Sequence, residues 1–450
     1  VTVALAHKHR RQLHPAQAVV IGFLTAISAG TVLLLLPIST ATGRSASFLE
    51  ALFTATSSVC VTGLVIVDTP VFWSPFGHAV ILLLIQVGGL GIMIFASLIG
   101  LVLARKLSIR GRVTAAAEAK SIGMSDVRGL VKGILFISLT IEAIVAVPLI
   151  LRFWLTYEHS LPDAIWLGVF HAVSSFNNAG FALFSDSLMG FATDPVICLP
   201  ICAAIILGGL GFPVIMQLRK EFTKRLHWSM NTNIVVWATV VLLVAGTVYI
   251  SAIEWNNPGT LGPMNPAEKL LAGFFQSVQT RTAGFNSIDV AQMDAASWVG
   301  MDLLMFIGGG PAGTAGGIKV TTFAVLFFIM YTELRGDAAV NIFGKRLSRA
   351  VHRQAITTVL LAVGVIVLSA VILMLMTDIN LDNILFEVIS AFATVGLSTG
   401  ITATIPPAGQ MILIVLMFIG RLGPLTLGTA IVLKKRQLLY ELPKERPVIG

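Results

Sequence analysis

The chain has 450 residues, 56% of them hydrophobic and 12% charged, with a net charge of +8. A mean hydropathy of +0.89 excludes an ordinary water-soluble protein, in which about a quarter of residues are charged. The positive balance does not indicate nucleic acid, because the basic residues lie between apolar spans, where orientation signals belong.

The first unit, 1–112, starts with His7, Lys8, His9, Arg10 and Arg11 ahead of an apolar span at 17–37. That span is longer than a signal-peptide core and reads as a retained transmembrane helix. A second span follows at 76–104. The same pair recurs at 129–156 and 195–218 in unit 113–227, at 230–253 and 297–330 in unit 228–349, and at 353–377 and 409–433 in unit 350–436. Residues 437–450 form a tail. Each span is long enough to cross a hydrocarbon layer of about 30 Å as a helix. Inside each pair lies a shorter apolar segment, at 46–68, 163–186, 266–289 and 382–402, which suits a re-entrant helix and loop. Basic residues collect between the pairs (Arg105 to Lys132, Arg219 to Arg225, Arg335 to Arg353, Lys434 to Arg436), and acids such as Asp68, Asp186, Asp289 and Asp382 collect within them. The positive-inside rule then puts both termini in the cytoplasm and the four short segments on the outer side.

The short segments end alike: Val61-Thr62-Gly63, Asn178-Ala179-Gly180, Thr282-Ala283-Gly284 and Thr394-Val395-Gly396, each followed by a bulky apolar residue. The glycines recur at intervals of 117, 104 and 112 residues. A second glycine mark begins 25, 28, 24 and 24 residues later, at Gly88, Gly208, Gly308 and Gly420. Two marks in register four times indicate an internal repeat. The fold expected is an all-α membrane protein of eight transmembrane and four re-entrant pore helices, with pseudo-fourfold packing around one pore. Irregular backbone at membrane depth is tolerated only where it is buried in protein or lines a water-filled path. The C-terminal ends of four short helices would favour a cation on the axis. Carbonyls of the following strands could replace its hydration shell, as in the Thr-Val-Gly-Tyr filter of tetrameric potassium channels, which Thr394-Val395-Gly396-Leu397 resembles. The twelve residues from Val61 to Gly396 named above are therefore the candidate filter, acting mainly through backbone carbonyls.

Unit three interrupts its second span. Residues 306–319 hold six glycines (Gly308, Gly309, Gly310, Gly313, Gly316 and Gly317) and Pro311, which disfavour helix and suit a gating loop at 306–317. In unit four Arg421 replaces the middle glycine of the second mark, deep in an apolar span, and is expected to face the pore beneath the filter. Units three and four alone are expected to depart at the second mark. Arg281 and Glu142 are expected to be structural, Arg281 on an acid or on backbone carbonyls; His171 and Asn177 read as scaffold. Cys60, Cys198 and Cys202 make no disulfide framework or zinc spacing, and no phosphate-binding loop or nucleotide fingerprint suggests an enzyme.

The four loops, Thr280 to Phe285 above all, with Gly316-Gly317-Ile318-Lys319 and Arg421, resemble the Trk/Ktr/HKT superfamily of potassium transporters over almost the whole chain, the Ktr type more than the longer TrkH type. The resemblance implies a homodimer in the bacterial inner membrane, one pore per subunit, on a cytosolic RCK/KTN-type ring (KtrA- or TrkA-like) that binds the nucleotide. It implies potassium as the transported ion, with sodium as modulator or co-ion. It also maps a gating loop onto Gly308 to Gly317 and a gate-facing arginine onto Arg421. In related proteins a serine at the first filter glycine goes with sodium transport, and this chain has Gly63. A coupled secondary transporter driven by sodium or protons is the alternative; paired broken helices would favour alternating access.

Overall fold

The computed structural model describes residues 15–105, 127–337 and 339–423. Both termini, most of the first basic link and the C-terminal tail, on which the orientation argument leaned, lie outside them. Helices in chain order are α1 (Pro15–Leu34), α2 (Phe48–Val59), α3 (Pro75–Arg105), α4 (Val127–Leu155), α5 (Leu161–Phe176), α6 (Pro195–Leu210) and α7 (Phe212–Glu221). They continue with α8 (Met230–Glu254), α9 (Pro266–Gln279), α10 (Ala295–Phe306), α11 (Val320–Arg335), α12 (Arg349–Met376), α13 (Leu381–Ala393) and α14 (Pro407–Leu422). A two-stranded hairpin, Asn341–Ile342 with Lys345–Arg346, joins α11 to α12 and buries Ile342 against Ile234 and Val325.

Four short helices, α2, α5, α9 and α13, fall where the re-entrant segments were expected. Their N-terminal ends are set by local chemistry. Ser47 and Glu50 form a reciprocal capping box on α2, as do Asn265 and Glu268 on α9, and Ser160 caps α5. Each cap satisfies helix N–H groups that would otherwise be orphaned. At 12 to 16 residues these helices are too short to cross a layer of about 30 Å.

In three of the four groups the short helix packs against both of its long flanking helices: α2 on α1 and α3, α5 on α4 and α6, α13 on α12 and α14. In the third, α9 packs chiefly on α8. Each group also reaches the next. α3 packs on α5, α6 on α9, α10 on α13, and α14 returns to α2. The short helices therefore stand inside a closed circuit, with one continuous hydrophobic core running through all four groups.

Hydropathy predicts eight spans, one of them interrupted in unit three, and residues 424–433 of the last, 409–433, lie outside the described residues. Five described helices are long and apolar enough to cross a membrane: α1, α3, α4, α8 and α12. The count is six if α6 and α7, bent by 102°, form one span. That bend sits at Gly211, whose φ of 90° lies outside the helical region. Gly423, three residues after Gly420, ends α14 in a matching conformation at φ 81°. The third break runs from Ile307 to Lys319, between α10 and α11. Units three and four alone depart from the mark in sequence, and only unit three reads there as broken; the structure breaks unit two as well, although its mark is identical to that of unit one. A glycine at the end of the mark permits the left-handed turn, and in unit one Gly91 stays helical instead.

Candidate functional site

The four loops after the short helices share one backbone conformation. Val61, Asn178, Thr282 and Thr394, each two residues ahead of a glycine, have φ of 55°, 59°, 72° and 51°. Gly63, Gly180, Gly284 and Gly396 follow at 92°, 68°, 83° and 95°. Left-handed backbone at non-glycine residues costs about 1–3 kcal/mol each and persists only where the surroundings enforce it. The enforcing bonds are visible. Thr62 N donates to Ser57 O at 2.8 Å, Ala179 N to Ser174 O at 2.7 Å and Val395 N to Ser390 O at 2.9 Å. The hydroxyls of Ser57 and Ser390 also accept from Gly63 N and Gly396 N, both at 3.1 Å. In unit three Val278 stands at the serine position, and Gln279 takes over: its carbonyl accepts from Ala283 N at 3.0 Å and its side chain from Phe285 N at 3.1 Å.

The four glycines form a ring. A Cβ on Gly63 would meet Ala179 O, one on Gly180 would meet Ala283 O, one on Gly284 Val395 O, and one on Gly396 Thr62 O. Each glycine thus abuts the backbone of the next loop, and the fourth closes on the first. Both its positive φ and its lack of a side chain are required here.

Outward of the ring lies a cavity of about 330 Å³. It is lined by all four ring glycines, by Leu64, Phe181, Asn286 and Ser398 just beyond them, and by Asp68, Asp186 and Asp289, with no basic residue. Inward of it the second glycine mark has a plain packing purpose. A Cβ on Gly88, Gly208 or Gly420 would strike Val59 O, Phe176 O or Phe392 O, near the C-terminal end of the short helix of its own group.

In unit three Gly308 packs instead on Gly316 O, because segment 307–319 folds back on itself. Gly308 N donates to Ile318 O at 2.8 Å, and Val320 N to Gly309 O at 3.0 Å. The segment docks on the broken helix of unit two: Gly310 N donates to Gly209 O at 2.7 Å, Thr314 N to Gly208 O at 3.0 Å, and Phe212 N to Ala312 O at 3.1 Å. Thr314 Oγ1 donates to Phe176 O at 3.2 Å and lies 3.3 Å from the Asn178 side chain. A Cβ on Gly316 would collide with Thr394 Oγ1. The loop therefore lies against the inner side of the ring and touches units two and four.

Arg421, 3% exposed, donates to Thr314 O of that loop and, at 3.3 Å, to Gly88 O of unit one. Its hydrogen-bond partners are backbone carbonyls. Arg281 likewise lies against carbonyls, with Nη1 3.3 Å from Thr239 O and Nη2 3.5 Å from Gly308 O. It does not line the outer cavity. Glu142 accepts from Gln86 Nε2 at 3.0 and 3.2 Å and from Asn177 Nδ2 at 3.3 Å. His171 Nδ1 is 2.7 Å from Leu167 O. The three cysteines are buried and free.

The candidate filter residues thus come together at the ring, and the candidate gate residues come together beneath it. Three participants were not singled out from sequence: Thr314, Gln279, and Glu387, a fully buried carboxylate on α13. An acid in the apolar run from Ile384 to Ile389 was the available signal for Glu387.

Comparison with known proteins defines the class. The family model described as TrkH, cation transport protein, matches residues 2–438. The chain belongs to that family and is a multi-pass membrane protein. Among curated relatives, the Ktr system potassium uptake protein B of Bacillus subtilis (strain 168) is 40% identical over 412 residues, covering 92% of each chain. The protein of the same name from Vibrio alginolyticus is 38% identical over 96% of this chain and 94% of its own. The potassium/sodium uptake protein NtpJ of Enterococcus hirae is 35% identical over 98% of each. Among solved structures, the potassium transporter TrkH of Vibrio parahaemolyticus superposes with a TM-score of 0.72 at 19% identity, covering 95% of this chain and 87% of that one. That likeness bears on the fold alone.

Proposed function

We propose that the chain is the ion-translocating subunit of a Ktr/Trk-type potassium uptake system, conducting through the ring formed by Gly63, Gly180, Gly284 and Gly396. The observation that carries this reading is the closure of that ring by backbone, with each glycine against a carbonyl of the next loop. Carbonyl oxygens from residues 61–63, 178–180, 282–284 and 394–396 then replace the hydration shell of a potassium ion. Four helix C-termini add a negative potential at the same point. The four groups are four repeats in pseudo-fourfold arrangement, each contributing two spans, broken or whole, and one re-entrant helix. The acid-lined cavity is the extracellular mouth, both termini are cytoplasmic, and the membrane is the bacterial inner membrane. Segment 307–319 is the gate, and Arg421 holds it closed by donating to Thr314 O and Gly88 O. The subunit works as a homodimer on a cytosolic nucleotide-binding RCK ring, in line with the Ktr-system names of its relatives.

Potassium flux from the purified protein in liposomes, with and without a regulatory ring, tests this reading. Potassium-selective current that the ring modulates is expected; vesicles impermeable to potassium under both conditions would overturn it. The name of the NtpJ relative gives sodium a place as co-ion. Reversal potentials under imposed sodium and proton gradients decide that point: a potential that follows potassium alone indicates channel-like conduction.

A further inference from the structure

We propose that Glu387 is a positioning residue for ion selectivity, acting through Ser398 and Thr402 on the strand that leaves the ring at Gly396. The inference rests on the conduction reading above. Glu387 is fully buried on α13, and no ion pair to it occurs among the described residues. Each of its oxygens instead accepts a hydroxyl. Ser398 Oγ donates to one at 2.9 Å, and Thr402 Oγ1 donates to the other. The two hydroxyls lie 3.0 Å apart, and Ser398 Oγ also accepts from Gly400 N at 2.9 Å.

These partners have a telling place. Ser398, Gly400 and Thr402 line the outer cavity together with Gly396. A buried carboxylate without donors would be costly, so it holds its two hydroxyls firmly. The strand they belong to is thereby tied back to α13 at two points beyond the ring. Selection between cations of different size depends on where carbonyls sit and how far they can yield. A tie on this strand therefore reaches the ion through the backbone of Val395 and Gly396.

The tie belongs to one quadrant. The residue nine places before each ring glycine is Thr54, His171, Phe275 and Glu387 in turn. Thr54 Oγ1 has no hydrogen-bond partner among the described residues. His171 Nε2 accepts from Leu183 N at 3.4 Å, a single long bond. Phe275 is apolar. At this position the ring is thus braced by a carboxyl group in unit four alone, and unit four is also the unit that supplies Arg421 from below.

The test measures the potassium-to-sodium permeability ratio of full-length protein in liposomes, from reversal potentials. Glu387→Ala is expected to lower the ratio about tenfold, the scale of leaving a buried hydroxyl without its partner. Glu387→Gln, which keeps one acceptor, falls between. Thr402→Val gives a smaller loss in the wild-type background and none in Glu387→Ala, because the two act as one unit. A simple stabilising role would change the amount of folded protein and leave the ratio alone. A wild-type ratio in folded, conducting Glu387→Ala overturns the proposal, as does full additivity of Thr402→Val. Should Glu387→Ala fail to fold, the pair Ser398→Ala with Thr402→Val decides in its place, and a wild-type ratio there also overturns it. Wild-type vesicles that pass no potassium would instead sink the conduction reading.

Discussion

At the scale of single residues, the ring glycines are constrained twice, by φ and by contact. Gly284 has φ 83° and lies against Val395 O of the next loop. Gly284→Ser must therefore accept left-handed backbone at a cost of about 1–3 kcal/mol and displace a neighbouring loop. Potassium uptake is expected to fall about tenfold or more, as about 1.4 kcal/mol corresponds to a factor of ten. The measurement is growth of a potassium-uptake-deficient bacterium at low potassium, and normal growth of the mutant would remove Gly284 from the filter. These glycines were legible in the sequence because a residue type marks a backbone requirement directly. Glu387 was not: its partners lie 11 and 15 residues further along, and only the return of the strand past α13 brings them back.

At the scale of elements, the broken helices matter most. The bend at Gly211 frees the carbonyls of Gly208 and Gly209 and the amide of Phe212, and segment 307–319 binds all three. The break in one unit is the dock for the loop of another. Arg421→Ala removes two donors from that arrangement at about 1.5–3 kcal/mol per charged hydrogen bond. Basal potassium flux in vesicles without a regulatory ring should rise about tenfold or more, and unchanged flux would remove Arg421 from the gate. Gly211→Ala places a methyl against Pro311 O and should loosen the same dock. Increased reactivity of a cysteine introduced by Thr314→Cys, compared with Gly211 intact, would report it; equal reactivity would separate Gly211 from the loop. The third break was legible as a run of glycines and a proline. The break at Gly211 was hidden, because that glycine closes a motif whose counterpart Gly91 remains helical, and only the neighbouring loop distinguishes them.

At the scale of the whole molecule, charge and closure set the behaviour. The mouth carries Asp68, Asp186 and Asp289, and its lining has no basic residue, so cations should concentrate there. Replacing all three by Asn is expected to reduce potassium flux several-fold at low ionic strength. The loss should shrink near 1 M salt, where the screening length is about 3 Å. A loss independent of salt would assign these acids a local structural role. The apolar spans made a multi-pass helical membrane protein readable from sequence. The cyclic order of packing was not, because no local pattern shows which second helix meets which short helix.

The circuit has its seam where the first group meets the last: Gly396 against Thr62 O, and α14 against α2. These partners are separated by most of the chain, so the seam is the last contact available during synthesis, long after the early helices have left the ribosome. A nascent chain short of α13 and the Gly396 loop has three sides of a ring and no fourth. If the ring conducts as proposed, permeability is thereby withheld until translation is nearly complete, and a prematurely terminated product reaches the bilayer without a finished leak.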